Sequence, residues 1–124
     1  YKLIIMKTIL IVEDDILQQK VLSTGLRKYF NVILASDGKK GVNSAIKYIP
    51  DIIIMDIYLP EINGLDAIDI IKNNTLTSHI PVIVTSSEKN INNKALYTFI
   101  PKPYKINDLL NMINKFIPES TMLL

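Results

Sequence analysis

The sequence predicts an α/β protein built on a doubly wound parallel sheet of five strands with helices on both faces. Apolar runs alternate with segments of helical period along the chain, which is typical of this class. The runs are continuously apolar, as expected for strands buried on both faces. With 124 residues, the chain can form one domain with a real core but not two. We expect a single domain over residues 1–124, with its core at about residues 7–118.

Five short apolar runs have the length and composition of strands. The third run, IIIM, contains no polar residue at all. We place strands at residues 8–12, 32–35, 52–55, 81–85 and 97–100. Right-handed crossovers between parallel strands then put helices on both faces of the sheet.

Four segments carry apolar residues at helical spacing and are predicted to be helices. Asp37 and Asn107 are expected to cap the second and the last of them, and Pro50 and Pro118 to end them. The predicted inward-facing positions are, helix by helix, Leu17, Val21, Leu22, Gly25, Leu26 and Tyr29; Val42, Ala45, Ile46 and Ile49; Leu65, Ile68 and Ile71, within residues 64–72; and Leu109, Leu110, Ile113 and Phe116.

The connection between the fourth and fifth predicted strands is short. It comprises the eleven residues 86–96, and loops at each end of a crossover helix usually take about 2–6 residues. A helix of ordinary length, about 10–14 residues, does not fit in the remainder. We therefore expect the fourth crossover helix to be shortened to a turn or two, or absent.

Composition excludes several classes of function. The chain has no cysteine, so disulfides and thiolate chemistry are excluded, and its one histidine leaves no His-rich metal site. The net charge is +2 with basic residues spread along the chain, which does not favour direct contact with nucleic acid. No apolar run reaches the length of a membrane span. We expect a soluble, cytoplasmic protein.

Acidic residues follow two of the predicted strands. Glu13, Asp14 and Asp15 follow the first, and Asp56 follows the third. Because ligand sites of open α/β sheets lie at the carboxyl ends of the strands, these acids are expected to meet at one edge, with Asp15 as a helix cap. Two carboxylates about 5 Å apart repel by roughly 3 kcal/mol. Such a pocket takes up a proton or binds a hard cation: magnesium, manganese or calcium.

Two further polar residues are expected at the same edge. Thr85 ends the fourth strand and places a hydroxyl beside the acids. Lys102 lies at the tip of the fifth strand, bracketed by Pro101 and Pro103, where its ammonium can reach the acidic pocket.

These features together resemble the receiver domain of bacterial two-component response regulators. The matching stretches cover nearly the whole chain: ILIVEDD (9–15), ASDG (35–38), PDIIIMDIYLPEINGLDAI (50–68), HIPVIVTSS (79–87) and FIPKPY (99–104). The resemblance implies a flavodoxin-like sheet with the strand order 2-1-3-4-5. It also implies a phosphorelay function, in which phosphoryl is accepted from a sensor histidine kinase or a histidine phosphotransfer protein and switches an output surface.

Site roles follow from the resemblance position by position. Asp56 matches the phosphoacceptor. Asp14 matches the direct ligand of Mg²⁺, with Mn²⁺ as an alternative metal, and Glu13 matches the residue that binds the metal through water. The main-chain carbonyl of Tyr58 matches a third metal contact.

The remaining matched positions concern the phosphoryl group and the switch. Thr85 matches the hydroxyl that moves onto the phosphoryl oxygens, and Lys102 the lysine that pairs with them. Phe99 matches the aromatic switch position, and the Lys102–Pro103 bond matches the family's cis peptide. Such a domain is not an enzyme beyond catalysing its own phosphorylation and dephosphorylation.

The chain departs from the family pattern before the fifth strand. The usual Gly-Ala ahead of the aromatic is replaced within residues 95–98, next to the shortened crossover. The resemblance implies that this region belongs to the family's output and dimerisation face. We therefore expect altered signalling through this face or an unusual partner, and a homodimer is possible.

Three alternatives were weighed against the receiver interpretation. A pseudo-receiver would use the fold for protein interaction without phosphorylation. A magnesium-dependent aspartyl phosphatase would favour a DxD motif, but position 58 is Tyr. A flavin carrier would need a phosphate loop after the first strand, where the sequence reads EDDILQQ.

Overall fold

The computed structural model describes residues 3–88, 96–117 and 120–123, the first and last few of these as backbone alone. Within these residues the chain forms seven strands and four helices. In chain order they are β1 Leu3–Met6, β2 Thr8–Val12, α1 Ile16–Leu26, β3 Asn31–Ala35, α2 Gly38–Tyr48, β4 Ile52–Asp56, α3 Gly64–Lys72, β5 Val82–Ser86, β6 Thr98–Pro101, α4 Ile106–Phe116 and β7 Ser120–Leu123.

The main sheet has five parallel strands in the order β3-β2-β4-β5-β6. Numbered within this sheet alone, the order is 2-1-3-4-5, so the predicted fold class is confirmed. The five predicted strands agree with the observed ones to within a residue at either end. Strand β4 lies in the middle and is buried over its whole length, which explains its continuous apolar sequence.

Each face of the sheet is covered by its own pair of helices. Helices α2 and α3 pack over Leu10, Ile53 and Met55 on one face. Helices α1 and α4 pack over Ile9 and Ile54 on the other. Each fully buried aliphatic side chain of this kind contributes roughly 1.5–3 kcal/mol of transfer free energy. The strand ends are therefore held by a rigid two-sided core.

Helix caps were predicted correctly in two cases and wrongly in a third. Asp15 caps α1 as predicted, accepting a hydrogen bond from the Leu17 amide at 2.9 Å. Asp37 caps α2 as predicted, accepting a hydrogen bond from Lys40 N at 2.7 Å. Asn107 does not cap α4. The helix begins at Ile106, and the cap position is Lys105, two residues before Asn107, with no side-chain capping bond. The backbone carbonyl of Lys105 instead accepts bonds from the first-turn amides, so a capping side chain was not required there.

The predicted inner face of α1 was wrong at its N-terminal end. Leu22 and Leu26 are buried, but Leu17 and Val21 are 70% and 61% exposed. Tyr29 lies beyond the end of the helix and is also exposed. Helical period identifies an apolar stripe but not what covers it. Phe116 of α4, predicted to face inward, is likewise exposed.

Two further features concern regions outside the predicted elements. Strands β1 and β7, near the two ends of the chain, pair antiparallel as a separate two-stranded sheet that was not predicted. The predicted short crossover helix falls on residues 89–95, outside the described residues; residues 87–88 and 96–97 beside them are not helical. None of the described helices has the length and apolarity to cross a membrane.

Candidate functional site

Asp56 is the last residue of the central strand β4 and lies at the carboxyl edge of the sheet. Its neighbour across the sheet is Thr85 of β5, and the next residue, Ile57, donates its amide to the Thr85 carbonyl at 3.2 Å. Asp56 is 8% exposed and Thr85 is also buried. The sheet thus delivers a carboxylate and a hydroxyl side by side, as predicted from the strand ends.

Glu13 and Asp14 follow β2, the strand on the other side of β4. Glu13 is 3% exposed and its amide donates to the Ala35 carbonyl at 3.0 Å, which continues the pairing of β2 with β3. The Glu13 carboxylate accepts a bond from the Asp14 amide at 2.9 Å, and Gln19 donates its side-chain amide to the Glu13 carbonyl. The backbone of this acidic turn is therefore fixed from both sides.

The three acids brought together are Glu13, Asp14 and Asp56. One carboxylate oxygen from each lies within 4.8 Å of the others. Asp14 is exposed, whereas the other two are buried, so the cluster has one side open to solvent. An all-oxygen donor set with an open side fits a hard divalent cation that retains water ligands. Sequence reasoning had predicted this cluster.

Lys102 completes the pocket from β6, two strands away from β4. Its ammonium lies 3.0 Å from Oε1 of Glu13 and 3.3 Å from Oδ2 of Asp56. Its amide donates to the Ser86 carbonyl at 2.8 Å, and the Lys102–Pro103 peptide bond is cis. The lysine is therefore fixed by its backbone and paired by its side chain with both buried acids.

Burial and close charges in the pocket shift the pKa values of Glu13 and Lys102. Burial, together with interactions with Asp56, raises the pKa of Glu13 to about 7, although Lys102 acts in the opposite direction. Burial lowers the pKa of Lys102, but the bonds and charges of the two acids outweigh it, so that this pKa is raised overall. Glu13 thus takes up a proton near neutral pH, chiefly because its carboxylate is buried.

Phe99, the predicted switch residue, lies on β6 beside Val84 of β5. Its ring is partly buried and packs against the core on the α2–α3 side of the sheet. Phe99 directly precedes Ile100, the residue of β6 that pairs with Thr85 of β5, and β6 leads on to Lys102. Its position is compatible with the predicted role, which stays a prediction.

A groove of about 490 Å³ adjoins the pocket between α1 and the start of α4. Its lining includes the exposed Leu17 and Val21 of α1, Tyr104 and Ile106, and also Lys102 of the pocket. Burial, with the charges of Glu13 and Asp56, raises the pKa of Tyr104 to about 12. Sequence reasoning missed this groove because it assigned the α1 stripe to the core.

The loop after Asp56 is braced against two helices. Gly64, the first residue of α3, donates its amide to the Ile57 carbonyl at 2.7 Å, and its Cα faces the Asp56 backbone so closely that a side chain would not fit. Gly38, the first residue of α2, likewise packs against the backbone of Ile62. Both glycines lie in matched motifs, but their contacts could not be predicted from spacing.

Tyr58 makes a contact that the sequence did not indicate. Its hydroxyl donates to the carboxylate of Glu88, which follows β5. This bond raises the pKa of Tyr58, because a carboxylate acceptor favours the protonated phenol. The predicted role of Tyr58 concerned its main-chain carbonyl, which lies on the same residue.

Comparison with known proteins identifies the family of this chain. The family model described as response regulator receiver domain matches residues 9–114. The chain is 32% identical to the probable transcriptional regulator ycf29 of Pyropia yezoensis, covering 92% of this chain and 54% of the relative, so it spans about half of that protein. It is 27% identical to the polar-differentiation response regulator DivK of Brucella anthropi, covering 92% and 98% of the two chains.

A solved structure gives the same result at the level of the fold. The receiver domain of the sensor histidine kinase PA1611 from Pseudomonas aeruginosa, with a magnesium ion coordinated in its active site cleft, superposes with a TM-score of 0.83 at 26% identity. The superposition covers 90% of this chain and 98% of that one. With the family match over most of its length and the same sheet order, this chain belongs to the response regulator receiver domain family.

Proposed function

We propose that the chain accepts a phosphoryl group on Asp56, with Mg²⁺ held by the acidic cluster, and thereby switches an output surface. The observation that carries the proposal is the convergence of Lys102 on Asp56 and Glu13 at 3.3 and 3.0 Å, beside the exposed Asp14. If Asp56 only paired with Lys102, it would not need Glu13 and Asp14 beside it. Three neighbouring carboxylates are instead expected where a metal ion is bound next to a phosphoryl acceptor.

The proposed reaction is an in-line displacement at phosphorus. An Asp56 carboxylate oxygen attacks the phosphorus of a phosphohistidine, the P–N bond breaks as the P–O bond forms, and the imidazole leaves with the electron pair and takes up a proton. Lys102, which lies 3.3 Å from Asp56, would pair with the phosphoryl oxygens, and Thr85, beside Asp56 in the sheet, would donate its hydroxyl to them. The chain contributes mainly position and charge, which this reaction requires more than covalent catalysis.

The donor set fits Mg²⁺, with Mn²⁺ as an alternative. Asp14 and Asp56 would be direct ligands, Glu13 would act through water, and the Tyr58 carbonyl would complete the protein's share. When bound, the ion would supply positive charge that neutralises the phosphoryl oxygens during transfer. The exposed Asp14 supports this assignment, since it gives the cluster an open side at which a hydrated ion could enter.

The groove beside the pocket supports a protein as the phosphoryl donor. Leu17 and Val21 form an exposed apolar stripe that lines the groove, and Lys102 lines the same groove. A helix carrying a phosphohistidine could cover this stripe while its imidazole faces Asp56. We propose a sensor histidine kinase or a histidine phosphotransfer protein as that donor. Loss of phosphoryl to water would return the domain to its resting state, with no separate substrate.

Incubation with Mg²⁺ and acetyl phosphate, followed by intact mass measurement, tests the proposal. Wild-type protein should gain the mass of one phosphoryl group, and both EDTA and Asp56→Asn should abolish the gain. Asp69→Asn, at an exposed acid on α3, is the matched control and should be labelled like the wild type. Equal labelling of the Asp56→Asn protein, or none of the wild type, would contradict the proposal.

A further inference from the structure

Residue 58 is the point at which the backbone leaves the support of the sheet. The preceding residue, Ile57, is bonded on both sides: its amide donates to the Thr85 carbonyl, and its carbonyl accepts from Gly64. Among the described residues, no backbone donor bonds the Tyr58 carbonyl. Backbone pairing therefore leaves the orientation of this carbonyl open.

Within the residues that the structure describes, the side chain of Tyr58, unlike its carbonyl, makes a hydrogen bond to another part of the chain. Its hydroxyl donates to the Glu88 carboxylate, a hydrogen bond to a charged acceptor. Both side chains are exposed at the protein surface. The bond joins the loop after β4 to the segment after β5, at the same edge of the sheet as the acidic pocket.

Glu88 is itself fixed to a rigid part of the molecule. Its amide donates to Oγ of Ser86 at 3.1 Å, and Ser86 is fully buried as the last residue of β5. The Ser86 carbonyl accepts the Lys102 amide at 2.8 Å. The anchor for Tyr58 is thus bonded to the strand end that carries Thr85 and, through it, to the backbone of Lys102.

We propose that the Tyr58–Glu88 hydrogen bond is a clasp that positions the Tyr58 carbonyl for the metal, which makes both side chains positioning residues. This inference rests on the proposed function, since it requires that the acidic cluster bind Mg²⁺. Groups that hold metal ligands in place commonly change metal affinity by tenfold or more when removed. For an exposed clasp we expect a smaller change, about threefold to tenfold.

Titration calorimetry with MgCl₂ alone on the full chain tests the clasp. Tyr58→Phe keeps the ring and removes the donor, so its Kd for Mg²⁺ should rise about threefold to tenfold. Glu88→Gln keeps an acceptor oxygen and should change Kd less than Tyr58→Phe does. Tyr48→Phe, at an exposed tyrosine whose ring lies against Lys47, is the matched control and should bind like the wild type. All three variants should unfold cooperatively at wild-type temperature, because none of the substituted side chains is buried.

The outcomes separate the clasp from its rivals. Equal Kd values for Tyr58→Phe and wild type would overturn the clasp while leaving the proposed metal site intact. A larger loss in Glu88→Gln than in Tyr58→Phe would also overturn it, because the Glu88 charge would then matter and not the bond. Wild-type protein that binds no Mg²⁺ would remove the proposed function itself, and the clasp with it.

Discussion

The ammonium of Lys102 lies 3.3 Å from Oδ2 of Asp56, although Lys102 directly follows β6 and Asp56 ends β4, two strands that are not adjacent in the sheet. This pair, together with the bond from Lys102 to Glu13, holds a positive charge among buried carboxylates. We therefore expect substitution of the lysine to affect both stability and the proposed phosphoryl acceptance.

Lys102→Met should destabilise the metal-free protein by roughly 1–3 kcal/mol at pH 8, because Glu13 and Asp56 lose their bonded cation. The loss should shrink towards pH 5, where Glu13 takes up a proton. Urea unfolding in the presence of EDTA measures this difference in the free energy of unfolding. Lys115→Met, at an exposed cation, should stay within about 0.5 kcal/mol of wild type. A Lys102→Met protein as stable as wild type at pH 8 would show that the ion pairs contribute nothing.

Stability of the metal-free protein should fall as pH rises through the titration of Glu13. Its pKa is about 7 in the folded protein against 4.5 ordinarily, so the folded state binds the proton more tightly. The resulting stability is fully present below about pH 4.5, and its loss is complete above about pH 7. The change should amount to roughly 3 kcal/mol.

Glu13→Gln checks this pH dependence directly. The amide keeps an acceptor oxygen but does not titrate, so the free energy of unfolding should vary much less between pH 5 and pH 7. Glu61→Gln, at an exposed acid, should keep the wild-type slope. Adding Mg²⁺ at pH 8 should stabilise the wild type. Adding it near pH 7, where Glu13 is partly protonated, should release a proton. A wild-type slope in Glu13→Gln would assign the titration to another group.

The apolar stripe of α1 should matter for a protein donor and not for a small one. Leu17→Ala with Val21→Ala removes exposed side chains, so stability should change by no more than about 0.5 kcal/mol per site. Transfer from a histidine kinase or phosphotransfer protein that labels the wild type should slow by about tenfold. Labelling by acetyl phosphate should be unchanged. Ile70→Ala, at an exposed site on α3, is the control. Equal slowing with both donors would argue against docking.

Gly64→Ala should destabilise the protein although alanine favours helices by about 1 kcal/mol. The added Cβ would meet backbone atoms, among them Cα of Ile57 at 2.8 Å and the carbonyl of Asp56. Because backbone yields poorly, we expect a net loss of about 1–3 kcal/mol in thermal or urea unfolding, and slower phosphorylation of the displaced Asp56. Gly25→Ala meets only the side chain of Ile106, which can move, and should cost less. A stabilised Gly64→Ala would disprove the close approach.

The sequence was sufficient for the sheet and the pocket for a physical reason. Continuous apolar runs identify strands buried on both faces, and parallel strands bring their carboxyl ends to one edge. Asp56, Thr85 and Lys102 each stand at such an end, so their proximity follows from chain order once the fold is known.

The features that were missed depend on tertiary contacts without a local pattern. Periodicity could not show that Leu17 and Val21 face solvent, because a stripe for the core and a stripe for a partner look alike. The bond from Tyr58 to Glu88 joins two loops thirty residues apart. The pairing of β1 with β7 joins the two ends of the chain, with no turn between them to indicate it.

The order of the strands also determines how long each side chain in the pocket has to be. Adjacent strands lie about 4.8 Å apart, so residues at the ends of β2 and β5 lie near Asp56 without needing long side chains. Lys102 starts from β6, two strands or roughly 10 Å away, and only a long, flexible stem can bring a charge across β5 to the same point. Shortening that stem while keeping the amine would separate reach from charge, and the distance across two strands sets the length at which the contact is lost.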